Sequence, residues 1–154
     1  MAGIVVLGVT LVVGVLIGLV MRRRDGRLRA VRQPDQASTD ERARSAVTSG
    51  DIGADLGERA TLVQFSTAFC QPCRATRRVL DEVAAMVPGV RHVEIDAESR
   101  LDLVKRFDVM RTPTVLILDH SGHIVKRASG QPRKVDVIAA IGVAVDGPSH
   151  ELSQ

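Results

Sequence analysis

Tryptophan and tyrosine are absent from this chain, and only three phenylalanines, Phe65, Phe69 and Phe107, occur in its 154 residues. The core must therefore be aliphatic, and a nucleic-acid surface of basic residues interleaved with aromatics is missing. Cysteine is almost as scarce, with two residues, Cys70 and Cys73. Structural zinc takes four ligands, of which this pair supplies two. Among the four histidines, His120 and His123 flank Ser121-Gly122 at what reads as a hairpin tip, far along the chain from the cysteines.

Basic residues are plentiful, and the sequence pI is about 9.4. Their distribution is uneven. Residues 22–32 hold six arginines and one aspartate, a local charge of +5 against a total of +3. The rest of the chain is slightly acidic, so the basic character is one short cluster rather than a nucleic-acid-binding surface.

That cluster follows the one long apolar run, Ile4–Met21, which carries no charged residue. As a helix of 18 residues it would extend about 27 Å, close to the thickness of a bilayer core. A cleaved signal peptide is the alternative. It would carry positive charge before the run and a small-x-small site after it. Here only Met1-Ala2-Gly3 precede the run and Arg22-Arg23-Arg24 follow it, which favours an uncleaved single-pass anchor. With the arginines C-terminal to the span, the positive-inside rule places the rest of the chain in the cytoplasm. Gly14 and Gly18 form a G-x-x-x-G pair that would let two such helices approach. From Arg22 to about Asp51 no apolar period is visible, and the segment reads as a tether.

Cys70-Gln71-Pro72-Cys73 lies between an apolar run, Leu62–Phe65, and an amphipathic stretch, Arg74–Val87. A helix N-terminus offers a partial positive charge and unpaired N–H groups, both of which favour thiolate over thiol. Pro72 suits a first helical turn, where its missing N–H has no intrahelical partner. A cysteine pair so placed can close a short disulfide, reopen it and pass on two electrons. The alternatives are coincidental core cysteines and half of a metal site.

Downstream, strand and helix patterns alternate. Strands are expected at Leu62–Ser66, Val90–Ile95, Thr114–Leu118 and His123–Ala128, the last two joined by Asp119-His120-Ser121-Gly122. Helices are expected over Cys73–Val87, from a cap at Asp96 or Ser99 to about Phe107, and over Val135–Val145. The order β-α-β-α-β-β-α implies one α/β domain with a parallel unit followed by a hairpin.

Four motifs carry a resemblance: Phe69–Arg74, Val79–Ala84, Val93–Asp96 and Arg111–Thr114. In order and spacing they are similar to the thioredoxin family over roughly residues 58–146. The resemblance implies the thioredoxin fold, a central mixed sheet flanked by helices, here preceded by a transmembrane helix. It also implies Cys70 as exposed nucleophile, Cys73 as resolving thiol, and Pro113 in a cis peptide facing them, with Thr112 pairing to the substrate backbone. Phe69, Gln71 and Pro72 complete the implied substrate surface. The chain departs from the family pattern at four places. Phe69 replaces a tryptophan, Gln71 a glycine, Gln64 a buried aspartate that assists the resolving thiol, and Arg78 a helix-kinking proline. Gln64 cannot titrate, so Gln64→Asp is expected to speed resolution of the mixed disulfide.

The implied organisation is an anchor at residues 1–21, a basic flank and flexible linker at 22–51, a thioredoxin-like domain at 52–148 and a disordered tail at 149–154. The segment before Leu62 looks too short for the family's first strand and helix in full. The implied activity is reduction of protein disulfides through the C-x-x-C dithiol, in a single-pass protein of a bacterial cell membrane. No bound cofactor or metal is required, and a separate dithiol or NADPH-dependent reductase would recycle the pair. Nucleic acid is not an expected partner. Two other readings stand beside it: an extracytoplasmic reductase of the haem-protein maturation type, and a redox-inert thioredoxin-like scaffold.

Overall fold

Seven consecutive residues of an inner strand, Ala60–Ser66 (β2), are all buried, because the strand has neighbours on both edges and packed layers on both faces. The computed structural model describes residues 2–24, 28–30 and 46–146. In chain order the elements are α1 (Ala2–Arg24), β1 (Arg29–Ala30), α2 (Ser49–Ile52), β2, α3 (Gln71–Met86), β3 (Val90–Asp96), α4 (Leu101–Arg106), β4 (Thr114–Asp119), β5 (Ile124–Ser129) and α5 (Lys134–Asp146). They form one five-stranded sheet in the order β1-β5-β4-β2-β3. β2 pairs parallel to β3 and antiparallel to β4, and the β4–β5 hairpin is antiparallel. This is the mixed sheet flanked by helices expected from the sequence.

Strand alternation sends successive side chains to opposite faces. On one face Val63, Phe65, Ile95, Leu116 and Leu118 pack with Leu103, Phe107 and Val109. On the other, Leu62, Val115 and Ile117 meet Leu80 and Val83 of α3 and Val137, Ala140 and Ile141 of α5. The core is aliphatic apart from Phe65 and Phe107. Each fully buried Leu, Ile or Phe contributes about 1.5–3 kcal/mol relative to exposure.

The segment read as a linker, 22–51, departs from that reading where it is described. Arg29–Ala30 pairs with Lys126–Arg127 at the edge of the sheet. Val47 is buried in the first core layer, and its N–H donates to Gly122 O at 2.9 Å. A Cβ on Gly122, whose φ is +84°, would lie 2.1 Å from Val47 O, so the hairpin tip is shaped to receive this segment. Thr48 and Asp51 form a reciprocal capping box on α2. Such anchoring is a tertiary effect that no local apolar period announces. Residues 25–27 and 31–45 of the linker, and the tail at 149–154, lie outside the described residues.

The cap expected at Asp96 or Ser99 also differs. Arg100 is the N-cap of α4 and gives no side-chain cap bond. Asp96 Oδ1 instead accepts from Glu98 N–H at 3.0 Å, and the Ser99 hydroxyl donates to Asp96 O. These residues are spent on the turn that leaves β3.

Among the described residues no helix is long and apolar enough to cross a membrane, so the anchor expected over Ile4–Met21 is not shown. The helical backbone of α1 runs Ala2–Arg24. Its described side chains from Val5 to Met21 are all exposed.

Candidate redox site

The two cysteines sit where β2 hands the chain to α3. Cys70 is the N-cap of α3, with extended backbone, and its sulfur accepts from the Cys73 N–H at 3.2 Å. Pro72 falls in the first turn, as expected. Cys73 lies one turn in and is 2% exposed, whereas Cys70 is partly exposed and Gln71 and Pro72 are exposed. The sulfurs are joined in a disulfide. One sulfur therefore faces outward at the positive end of a helix and the other is held beneath it, an arrangement suited to attack by the first and resolution by the second.

The Thr112–Pro113 peptide is cis, as the resemblance implied. Pro113 is buried and Thr112 partly so. The Thr112 and Thr67 hydroxyls lie 3.3 Å apart, which ties this loop to the one preceding the cysteines. Phe69, beside Cys70, is 95% exposed, and Met110, two residues before Thr112, is 83% exposed. Each is an apolar side chain left in solvent at a loop that frames the disulfide. Met110 had no signal in the sequence beyond its proximity to the Arg111–Thr114 motif.

Gln64 is fully buried under the start of α3. Its amide Nε2 donates to Cys73 O at 2.9 Å, to Ser66 Oγ at 2.7 Å and, more weakly, to Glu94 Oε1 at 3.5 Å. Three acceptors fix which way the amide points, and among the described residues the buried Gln64 Oε1 has no hydrogen-bond partner.

Glu94 is the residue that the sequence reading missed. It faces Gln64 across the parallel β2–β3 register, and Arg77 of α3 pairs with it at 2.5 Å. Burial pushes the Glu94 carboxyl up. Hydrogen bonds from Arg77 and Ser66, with the Arg77 charge, outweigh that and hold it below its ordinary value. A cavity of about 410 Å³ runs along this end of the sheet, bordered by Cys70, Cys73, Ser66, Arg77, Glu94 and Asp96 among others. Among the described residues no three His, Cys, Asp or Glu side chains converge as a metal site.

The thioredoxin family model matches residues 50–142. The chain belongs to the thioredoxin family. A Staphylococcus aureus thioredoxin is 26% identical over 89 residues, covering 57% of this chain and 86% of its own. Thioredoxin H5 of rice (Oryza sativa subsp. japonica) is 28% identical over 72 residues, 47% of this chain; the match spans about half of that relative, 53%. Among solved structures, thioredoxin NaTrxh from Nicotiana alata aligns with a TM-score of 0.51 at 27% identity, covering 57% of this chain and 75% of that one. A point mutant of the thioredoxin from Halobacterium salinarum aligns with a TM-score of 0.54 at 20% identity, over 62% and 80% of the two chains. This thioredoxin-family chain is thus a thioredoxin-like redox protein carrying a C-x-x-C disulfide.

Proposed function

We propose that the protein is a membrane-tethered thiol–disulfide oxidoreductase that reduces disulfides in partner proteins. The observation that carries this reading is the Cys70–Cys73 pair, partly exposed at Cys70 and buried at Cys73, at the N-terminus of α3. In the reduced protein the Cys70 thiolate attacks a substrate disulfide and releases one substrate sulfur as a thiol. The Cys73 thiolate then attacks Cys70 Sγ, forms the Cys70–Cys73 bond and expels the second substrate sulfur. The substrate gains two electrons and two protons and the pair loses them. A separate dithiol or NADPH-dependent reductase restores the pair. Phe69, Gln71, Pro72, Thr112 and Pro113 form the docking surface, with the Thr112 backbone pairing to the substrate chain.

The tether is Ile4–Met21, an uncharged apolar run with six arginines in the eleven residues after it. By the positive-inside rule the catalytic domain faces the cytoplasm, where a reducing environment drives the pair toward reduction of its partners.

Cys73→Ser in membrane preparations is expected to accumulate mixed disulfides through Cys70, visible on non-reducing gels and lost with dithiothreitol. Recovery of none, with the wild-type pair failing to cycle between dithiol and disulfide, would establish a redox-inert scaffold instead. A C-terminal alkaline phosphatase fusion is expected to be inactive. An active one would move the domain outside the cell and favour the haem-protein maturation type of reductase.

A further inference from the structure

Resolution of the mixed disulfide needs Cys73 as a thiolate, and burial opposes that charge. Cys73 is 2% exposed, and the residue beneath it, Gln64, holds its carbonyl but cannot accept its proton. A carboxylate bonded to Gln64 lies one strand over on this face of the sheet. Glu94 stands in register with Gln64, within reach of its amide at 3.5 Å, and borders the same cavity as both cysteines. At about 410 Å³ the cavity has room for several water molecules, each taking about 30 Å³ in the liquid.

We propose that Glu94 takes the proton from the Cys73 thiol through water in this cavity and returns it to the leaving substrate thiolate. The proposal rests on the reductase reading above and deepens it. In the step, the Cys73 S–H bond breaks and its proton passes through water to the Glu94 carboxylate. The Cys73 thiolate attacks Cys70 Sγ, the Cys70–Cys73 bond forms and the Cys70–substrate bond breaks. The substrate thiolate leaves with the electron pair of that bond and recovers the proton from Glu94.

The charged groups around Glu94 define how well it can do this. Arg77 pairs with it at 2.5 Å, and Arg74 and Asp96 border the same cavity. His92, two residues back on β3, is tied to Asp81 of α3 at 2.6 Å. Asp96 is the rival carboxylate, but it is exposed, engaged by Glu98 N–H, and not bonded to Gln64. Arg77 keeps Glu94 ionised and ready to accept a proton while lowering its strength as a base. The acceleration should therefore fall short of the 10²–10⁴-fold of a well-matched acid–base group.

The test is stopped-flow kinetics of the reduced full-length chain in detergent micelles, mixed with a fluorophore-labelled peptide disulfide across pH 5–10. Glu94→Gln is expected to slow first-order resolution about tenfold at pH 7. The gap should narrow toward the alkaline end of that range, where hydroxide takes the proton without Glu94. Glu94→Asp should recover part of the rate, and Asp96→Asn should leave it unchanged. Should Glu94→Gln fail to fold, Arg77→Met serves instead, and is expected to move the acidic limb of resolution to higher pH. A wild-type pH profile in Glu94→Gln, or in Arg77→Met where that variant stands in, overturns the proposal. So does a loss seen in Asp96→Asn in place of Glu94→Gln. If the wild type itself forms no mixed disulfide, the reductase reading falls and this one with it. If it turns over normally while the variants match it, only the role of Glu94 falls.

Discussion

Gln64 and Phe65 are neighbours in sequence and both fully buried, yet they face opposite sides of the sheet into different surroundings. Phe65 enters a layer dominated by Val63, Ile95, Leu103, Phe107 and Leu116, with Thr114 opposite it as a buried polar neighbour whose hydroxyl donates to Arg111 O. Gln64 follows Leu62 on the α3 face, where the apolar packing of Leu62, Leu80, Val83 and Ile117 gives way to Gln64, Ser66 and Glu94 at the end nearest the cysteines. The first face is dominated by apolar packing. The second packs apolar side chains along most of its length, carries the His92–Asp81 contact beside Leu62, and gathers Gln64, Ser66 and Glu94 at the end nearest the cysteines.

The comparison breaks most visibly on the Phe65 side. Phe65→Ala should cost about 3–5 kcal/mol of unfolding free energy by loss of burial and cavity formation, read from urea denaturation. The reduction potential of the molecules that remain folded should stay at the wild-type value. A large shift in potential would mean that the two faces are not separable. Leu80→Ala on the α3 face should cost about 2–5 kcal/mol, and because Leu80 lies on the helix that carries both cysteines, it should also change the rate of mixed-disulfide resolution.

Gln64 should behave in the opposite sense. Gln64→Leu removes the donor to Cys73 O and the unpartnered Oε1 together. The net change in stability should stay within about 1–3 kcal/mol, the scale of leaving one buried polar group unsatisfied, while the kinetics of the cysteine pair shift. Gln64→Asp places a second carboxylate opposite Glu94. Two such groups sharing a site cannot both ionise freely, so one of them titrates at raised pH and becomes a stronger base. Faster resolution than wild type near pH 7 is the expected outcome. Unchanged stopped-flow rates would show that proton transfer does not limit this step.

The same contrast explains what could be read from the sequence. The C-x-x-C pair, the helix it opens, the β4–β5 hairpin and cis-Pro113 each rest on local pattern or on a short motif, and each stands where expected. Glu94 was readable as a residue of the Val93–Asp96 motif and of an expected strand, neither of which marks it as a partner of Gln64. Its meaning comes from the register that sets it beside Gln64, a tertiary fact with no local mark. Val47 and Arg29–Ala30 escaped for a similar reason. Their polar, arginine-rich surroundings resemble a solvated tether, and the partners that hold them, Arg106, Gly122 and Lys126–Arg127, lie far along the chain.

Two carboxylates with lowered pKa sharpen the comparison at its smallest scale, since one belongs to the redox end and the other lies away from it. Asp51 is pushed up by burial, but hydrogen bonds from Thr48 and the pairing with Arg106 outweigh this and hold it below its ordinary value. Its bond to Arg106 is 2.8 Å, and it closes the capping box of α2. A carboxyl with a lowered pKa in the folded state contributes stability above its unfolded pKa of about 4 and loses it as pH falls through the folded value. Glu94 has the same sign. Unfolding free energy should thus decline below about pH 4–5 in the wild type, and either Asp51→Asn or Glu94→Gln should flatten part of that decline. Only Glu94→Gln should also change the pH profile of disulfide resolution, because Asp51 does not border the cavity beside the cysteines. An altered redox profile in Asp51→Asn would mean that charge anywhere on the domain tunes the cysteines, and that the polar end of the α3 face has no privileged place in the chemistry.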